Sequence, residues 1–154
     1  MGDVIISTNA FLCIGTGTAS ADRNVSGRLR KLSWTEKFDD HDVTCMGSSV
    51  RVRAIGLGES EIKFETLQSF STGDLNENID ALVNNLRTVS QSGLSFLVRA
   101  RPYNANRSAT NPEYSMLCVM AERTLIDAQV GDPLMNPITF LSAGDITRAT
   151  ATTP

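Results

Sequence analysis

The chain has 154 residues, 41% of them hydrophobic and 20% charged, with a formal net charge of -3. A domain of this length buries roughly 68–70% of its unfolded surface, so it supports a core of its own, and the composition excludes a disordered chain. Its 14 basic residues, mostly arginine, are dispersed, which excludes the basic footprint needed for sequence-independent adhesion to DNA.

Cys13, Cys45 and Cys118 are widely separated and odd in number, and are expected as reduced thiols in a cytosolic protein. No run approaches the roughly 18 apolar residues of a membrane span, and the start lacks the basic residues of a signal peptide. Ile6 stands where the myristoylation pattern requires Ser or Thr. No membrane partner is expected, and the glycosylation patterns at Asn24 and Asn106 carry no meaning without secretion.

Residues 1–27 hold two short apolar groups, DVIIS and FLCIG, followed by a small, polar, turn-prone stretch. This pattern predicts an N-terminal arm laid on another surface. Gly15 and Gly17 have the spacing of a phosphate loop but lack its Lys-Ser/Thr ending and following helix.

From Arg28 to Phe38, the apolar Leu32, Trp34 and Phe38 share one parity, while Lys31, Ser33, Thr35 and Lys37 take the other. Such alternation predicts a half-buried strand. Residues 60–70 alternate likewise, with Ile62, Phe64 and Phe70 on one face and Glu61, Lys63 and Glu65 on the opposite one. At about 3.3 Å per residue each segment extends roughly 36 Å, long for a small domain. Between them, residues 39–59 form a predicted loop far longer than the usual hairpin connection of about 2–5 residues, and so a candidate working surface. Within it SVRVRAI, residues 49–55, alternates as a short strand of its own would.

Asp74 opens a predicted helix over 74–92, because Glu77 completes a capping-box arrangement and Ile79, Leu82, Val83, Leu86 and Val89 fall on one face. Residues 94–102 read as a strand closed by Pro102, 103–112 as a polar loop, and 113–126 as a long apolar strand. VGDP is a turn, and MNPITFLSA and DITRATA form a final pair bent at Gly144. The expected fold is mainly β, sandwich- or barrel-like, with six to seven strands and one flanking α-helix. Its expected parts are an arm over 1–27, a domain over 28–150 and a C-terminal tail over 151–154.

Few residues suggest chemistry. His41, the only histidine, stands among Asp39, Asp40 and Asp42, but contiguous residues point in different directions, so a solvated acidic turn is expected in place of a metal site. His41 with Ser48 or Cys45 lacks the orienting partner and oxyanion site that catalysis needs. Met116, Cys118 and Met120 share a strand face as core residues do. Arg51 and Arg53 place two guanidinium groups on one side of an extended segment, suited to carboxylates of a partner or to phosphates. No catalytic, cofactor-binding or metal residues are expected.

The chain resembles the major tail (tail tube) proteins of long-tailed, non-contractile bacteriophages. The resemblance rests on NVSGRLRKLSW (24–34), DVTCMGSSVRVRAIGLGESEIKFE (42–65), LVRARP (97–102), TNPEY (110–114), VGD (130–132) and GDITRAT (144–150), in that order with a helix between the second and third. The first 23 residues carry no motif of the family. The resemblance implies a non-enzymatic virion protein that assembles with itself into stacked hexameric rings around a channel for DNA. It implies as partners further copies of the chain, a tape measure protein and tail-end proteins, with DNA passing transiently and non-specifically. It places the protein in the phage tail, and in the host cytoplasm during assembly. It also implies that the loop and the terminal arm contact neighbouring subunits and rings, which makes Asp42, Val43, Thr44, Met46, Gly47, Arg51, Arg53, Gly56 and Leu57 assembly residues. By parity alone, Glu61, Lys63 and Glu65 are expected on the channel or an intersubunit surface. A capsid decoration protein, a tail terminator and a small-ligand-binding barrel are the other readings consistent with these residues.

Overall fold

Apolar residues at alternate positions can be buried together only if their strands pair in register, and the register follows that rule across the core. A computed structural model describes residues 9–16, 23–47, 49–68, 70, 80 and 95–150. Among them are eight strands: β1 (Phe11–Thr16), β2 (Arg23–Asn24), β3 (Leu29–Asp42), β4 (Arg53–Leu67), β5 (Phe96–Arg101), β6 (Glu113–Arg123), β7 (Met135–Ser142) and β8 (Thr147–Ala149). They form one antiparallel sheet in the order β2-β1-β5-β6-β7-β4-β3, with β8 paired to the start of β6.

In β4, Ile62 and Phe64 are buried while Lys63 between them is exposed. Ile62 lies opposite Trp34 on β3 and Phe140 on β7, so one face carries apolar side chains across three strands. Phe140 is the hub: its ring centroid lies 4.9 Å from that of Phe96 and 5.6 Å from that of Phe64. Met116 and Cys118 of β6 join this core, as their parity predicts. Trp34 also meets Tyr114 edge-on at 6.2 Å, although β7 and β4 separate their strands in the sheet. The sheet therefore curls until its β3 side faces β6 across the interior, the barrel-like form expected.

Two expectations change here. FLCIG does not belong to an arm: Phe11–Thr16 pairs along its whole length with β5, and Leu12 and Ile14 lie in the core. A short, continuous apolar run is the mark of a strand buried on both faces, and Ser26 fixes this one by accepting a hydrogen bond from Leu12 N at 2.9 Å. The helix expected over 74–92 lies outside the described residues except at Asp80, which is helical and ion-paired with Arg123. Among the described residues the flanking helix is not borne out, and the remaining helical residues are a 3-10 turn over Ser26–Arg28.

The hub position sets the first prediction. Phe140→Ala removes the ring that both Phe64 and Phe96 pack against and should cost about 3–5 kcal/mol in urea unfolding. Val119→Ala, at a position 42% exposed, should change stability by about 0.5 kcal/mol or less.

Candidate functional site

β4 is longer than the sheet that supports it. It pairs with β7 only over Glu61–Leu67, whereas its pairing with β3 continues to Asp42 opposite Arg53. Residues 37–42 and 53–59 therefore pair only with each other and project roughly 23 Å as a two-stranded ribbon, with residues 43–52 as its tip. The expected loop over 39–59 is thus mostly strand, because the alternation in 49–55 continues into β4 and finds a partner in residues 40–42. His41 and its acidic neighbours accordingly lie on a strand and not in a turn.

A two-stranded ribbon in water is at best marginally stable, so its local devices matter. Arg53 ion-pairs with Asp40, and Arg51 Nε lies 3.9 Å from Asp42 Oδ2, two diagonal pairs across the strands. All four side chains are well exposed, so solvent screens both pairs and they add little. A register shift puts Gly56 and Leu57 opposite Asp39, and a Cβ at position 56 would come within 2.8 Å of His41 Nε2. The imidazole packs into the space that Gly56 leaves open, which gives His41 a structural place.

At the tip, Asp42 Oδ1 accepts hydrogen bonds from the Thr44 amide, at 3.0 Å, and from its hydroxyl. Thr44 Oγ1 accepts in turn from Val52 N at 2.9 Å. The Thr44 hydroxyl, and then its amide, hold the Asp42 carboxyl below the usual carboxylate range. Gly47 has φ +95°, a left-handed conformation that glycine adopts without strain, and the turn leaves Met46 fully exposed.

The nine expected contact residues, Asp42, Val43, Thr44, Met46, Gly47, Arg51, Arg53, Gly56 and Leu57, all lie on this ribbon. Asp42, Arg51 and Arg53 bond within it. Sequence reading missed Phe38, Val50, Val52 and Ile55, which are also exposed there. Ile55 is 79% and Leu57 84% exposed, a concentration of apolar surface that marks an interaction site. Phe38 has the parity of the core residues Leu32 and Trp34, so only the point where β7 stops explains its exposure.

Glu61, Lys63 and Glu65 share the opposite sheet face. Lys63 Nζ lies 2.9 Å from Glu61 Oε1, and Lys37 and Lys31 approach Glu61 and Glu65 at 3.9 and 3.8 Å. The hydrogen bond from Lys63 holds the Glu61 carboxyl low, with burial opposing. This face is polar and of mixed sign.

Beside the ribbon's base, buried Glu113 lies 4.0, 3.6 and 3.5 Å from Arg99, Arg101 and Arg107. Asn111 Nδ2 donates to the carbonyls of Tyr103, Ala105 and Asn106, fixing the loop that carries Arg107. A cavity of about 410 Å³ lies nearby, lined chiefly by Leu32, Trp34, Ala100, Pro102, Tyr114 and Ile146. Ser48 lies outside the described residues, and among those described no three His, Cys, Asp or Glu side chains converge as metal ligands.

No protein-family model and no curated protein matches the sequence. Solved structures do match. A chain of the virion of a native gene transfer agent particle has a TM-score of 0.63 at 9% identity, covering 95% of this chain and 99% of that one. A chain of the SPP1 tail tube has a TM-score of 0.67 at 9% identity, covering 97% and 81%. This is the tail-tube fold. A chain from the tail of an empty gene transfer agent particle, solved with C6 symmetry, shares it with a TM-score of 0.61 at 13% identity over 90% and 95% of the two chains. Identities this low show likeness of fold only.

The three cysteines report on this arrangement. Cys45 is exposed at the ribbon tip, whereas Cys13 and Cys118 are buried, and burial pushes the Cys118 thiol up to about 12. Titration of the native protein with a thiol reagent at pH 8 should modify Cys45 alone, with Cys13 and Cys118 reacting only on unfolding.

Proposed function

We propose that this chain is the non-enzymatic subunit of a phage-type tail tube, assembling into hexameric rings that stack around a channel through which DNA passes. The observation that carries the proposal is the apolar ribbon projecting from a tail-tube fold. A monomer has no use for so much exposed apolar surface on an unsupported pair of strands, whereas a neighbouring subunit covers it. The nine ribbon residues named above are then contacts between subunits and rings.

Glu61, Lys63 and Glu65 would face the channel or the neighbouring subunit. Mixed charges and a net charge of -3 suit a conduit that must not retain DNA. In this role the protein belongs to the virion tail and meets a tape measure protein inside the tube and other proteins at its ends. A decoration or tail-terminator role would give closed rings that do not stack, and a small-ligand-binding barrel would give monomers.

Electron microscopy of the concentrated protein should show hollow tubes of repeating rings. Deleting residues 44–56 removes the tip but spares the part of β4 held by β7. The deletion variant should stay folded by circular dichroism and form rings or monomers that do not elongate. Long tubes from that variant would contradict the role of the ribbon.

A further inference from the structure

The end of the sheet opposite the ribbon carries a second apolar patch. Phe70 follows β4, Leu125 and Ile126 follow β6, and Val130 precedes β7. They are 69%, 64%, 69% and fully exposed, respectively. Gln68 binds the group together: its Nε2 donates to Leu125 O at 2.6 Å, and its amide to Leu134 O at 2.9 Å. Phe70, Leu125 and Ile126 line a cavity of about 180 Å³ with Arg123, Thr124 and Asn136. Val130 stands just before Gly131, at φ +95°, in a turn closed by Asp132 N donating to Gln129 O at 3.1 Å. The ribbon tip presents Met46 before Gly47 in the same manner.

The two ends also differ in charge. Residues 124–134 contain Asp127 and Asp132 and no basic residue, with Arg123 beside them ion-paired to Asp80, whereas residues 43–52 contain Arg51, 3.9 Å from Asp42, and no acidic one. Both ends belong to β4, which runs from Arg53 at the tip to Leu67 beside the second patch, a span of roughly 45 Å. One molecule therefore cannot bring them together.

We infer that Phe70, Leu125, Ile126 and Val130 form the receiving surface for the ribbon tip of a second copy of this chain in the next layer. The inference rests on the tube reading and specifies its stacking contact. Two unlike patches at opposite ends of a rigid strand make a heterologous contact, which repeats without closing. Met46 and Val50 supply apolar side chains to the acceptor, and Arg51 approaches a loop of opposite sign.

Two variants test this: Leu125→Asp with Ile126→Asp at the acceptor, and Met46→Asp with Val50→Asp at the tip. All four positions are exposed, so both variants should melt within about 2 °C of the parent. Each alone should stop at single rings. Mixed in equal amounts, they should give two-layer particles and nothing longer, because one sound tip then meets one sound acceptor once. Long tubes from the acceptor variant, with the tip variant still blocked, would overturn the acceptor assignment and leave the tube reading standing. A fall in melting temperature of more than about 5 °C for the acceptor variant would overturn it as well, by showing the patch to be covered by its own chain. A parent protein that never forms tubes would overturn both.

Discussion

The mismatch in length between β4 and the sheet that holds it governs the rest of this structure. Residues 61–67 of β4 lie between two hydrogen-bonded neighbours, β3 and β7, and Ser60 N still reaches Ser142 Oγ of β7 at 3.2 Å, whereas residues 53–59 have only β3. Where β7 is present, alternate side chains have a core to enter, and Ile62, Phe64 and Phe140 fill it. Beyond it Phe38 keeps the core parity and the register shift at Asp39 turns Ile55 to the same face, with nothing to cover them. Phe38 and Ile55 are therefore exposed by topology and not by composition, whereas Leu57 has the parity of Glu61 and Lys63 and lies on the opposite face.

Energetics point the same way. The ribbon's two ion pairs are exposed and weak, and its hydrogen bonds have water on either side. Covering each large apolar side chain on it offers about 1.5–3 kcal/mol before ordering costs. The ribbon is thus a poorly supported element in a monomer and a well-supported one in an assembly. In the proposed tube, apolar surface beyond both ends of one strand would give the subunit a direction, along which stacking would continue.

Much of the sheet was legible because parity is a local property. Ile62 and Phe64 against Lys63, and Met116 and Cys118 together, announce their faces without reference to any partner. Parity says nothing about where a neighbouring strand ends, so Phe38 read as core and residues 39–59 read as loop. FLCIG was misjudged for a related reason: continuous apolar runs lack the alternation that marks a strand, and only its pairing with β5 reveals one. Arg51 and Arg53 were correctly placed on one side of an extended segment, but their register brings them to Asp42 and Asp40 of the same chain before any partner. Leu125 and Ile126 looked like the end of a strand, whereas β6 stops at Arg123 and leaves them outside.

The ribbon should therefore depend on a neighbour. Amide hydrogen exchange on residues 37–42 and 53–59, compared between dilute monomer and assembled protein, tests this dependence. The account predicts exchange in the monomer far faster than for residues 61–67, and protection in the assembly rising toward that of the core. Equal protection of both segments in the monomer, or no change on assembly, would contradict it.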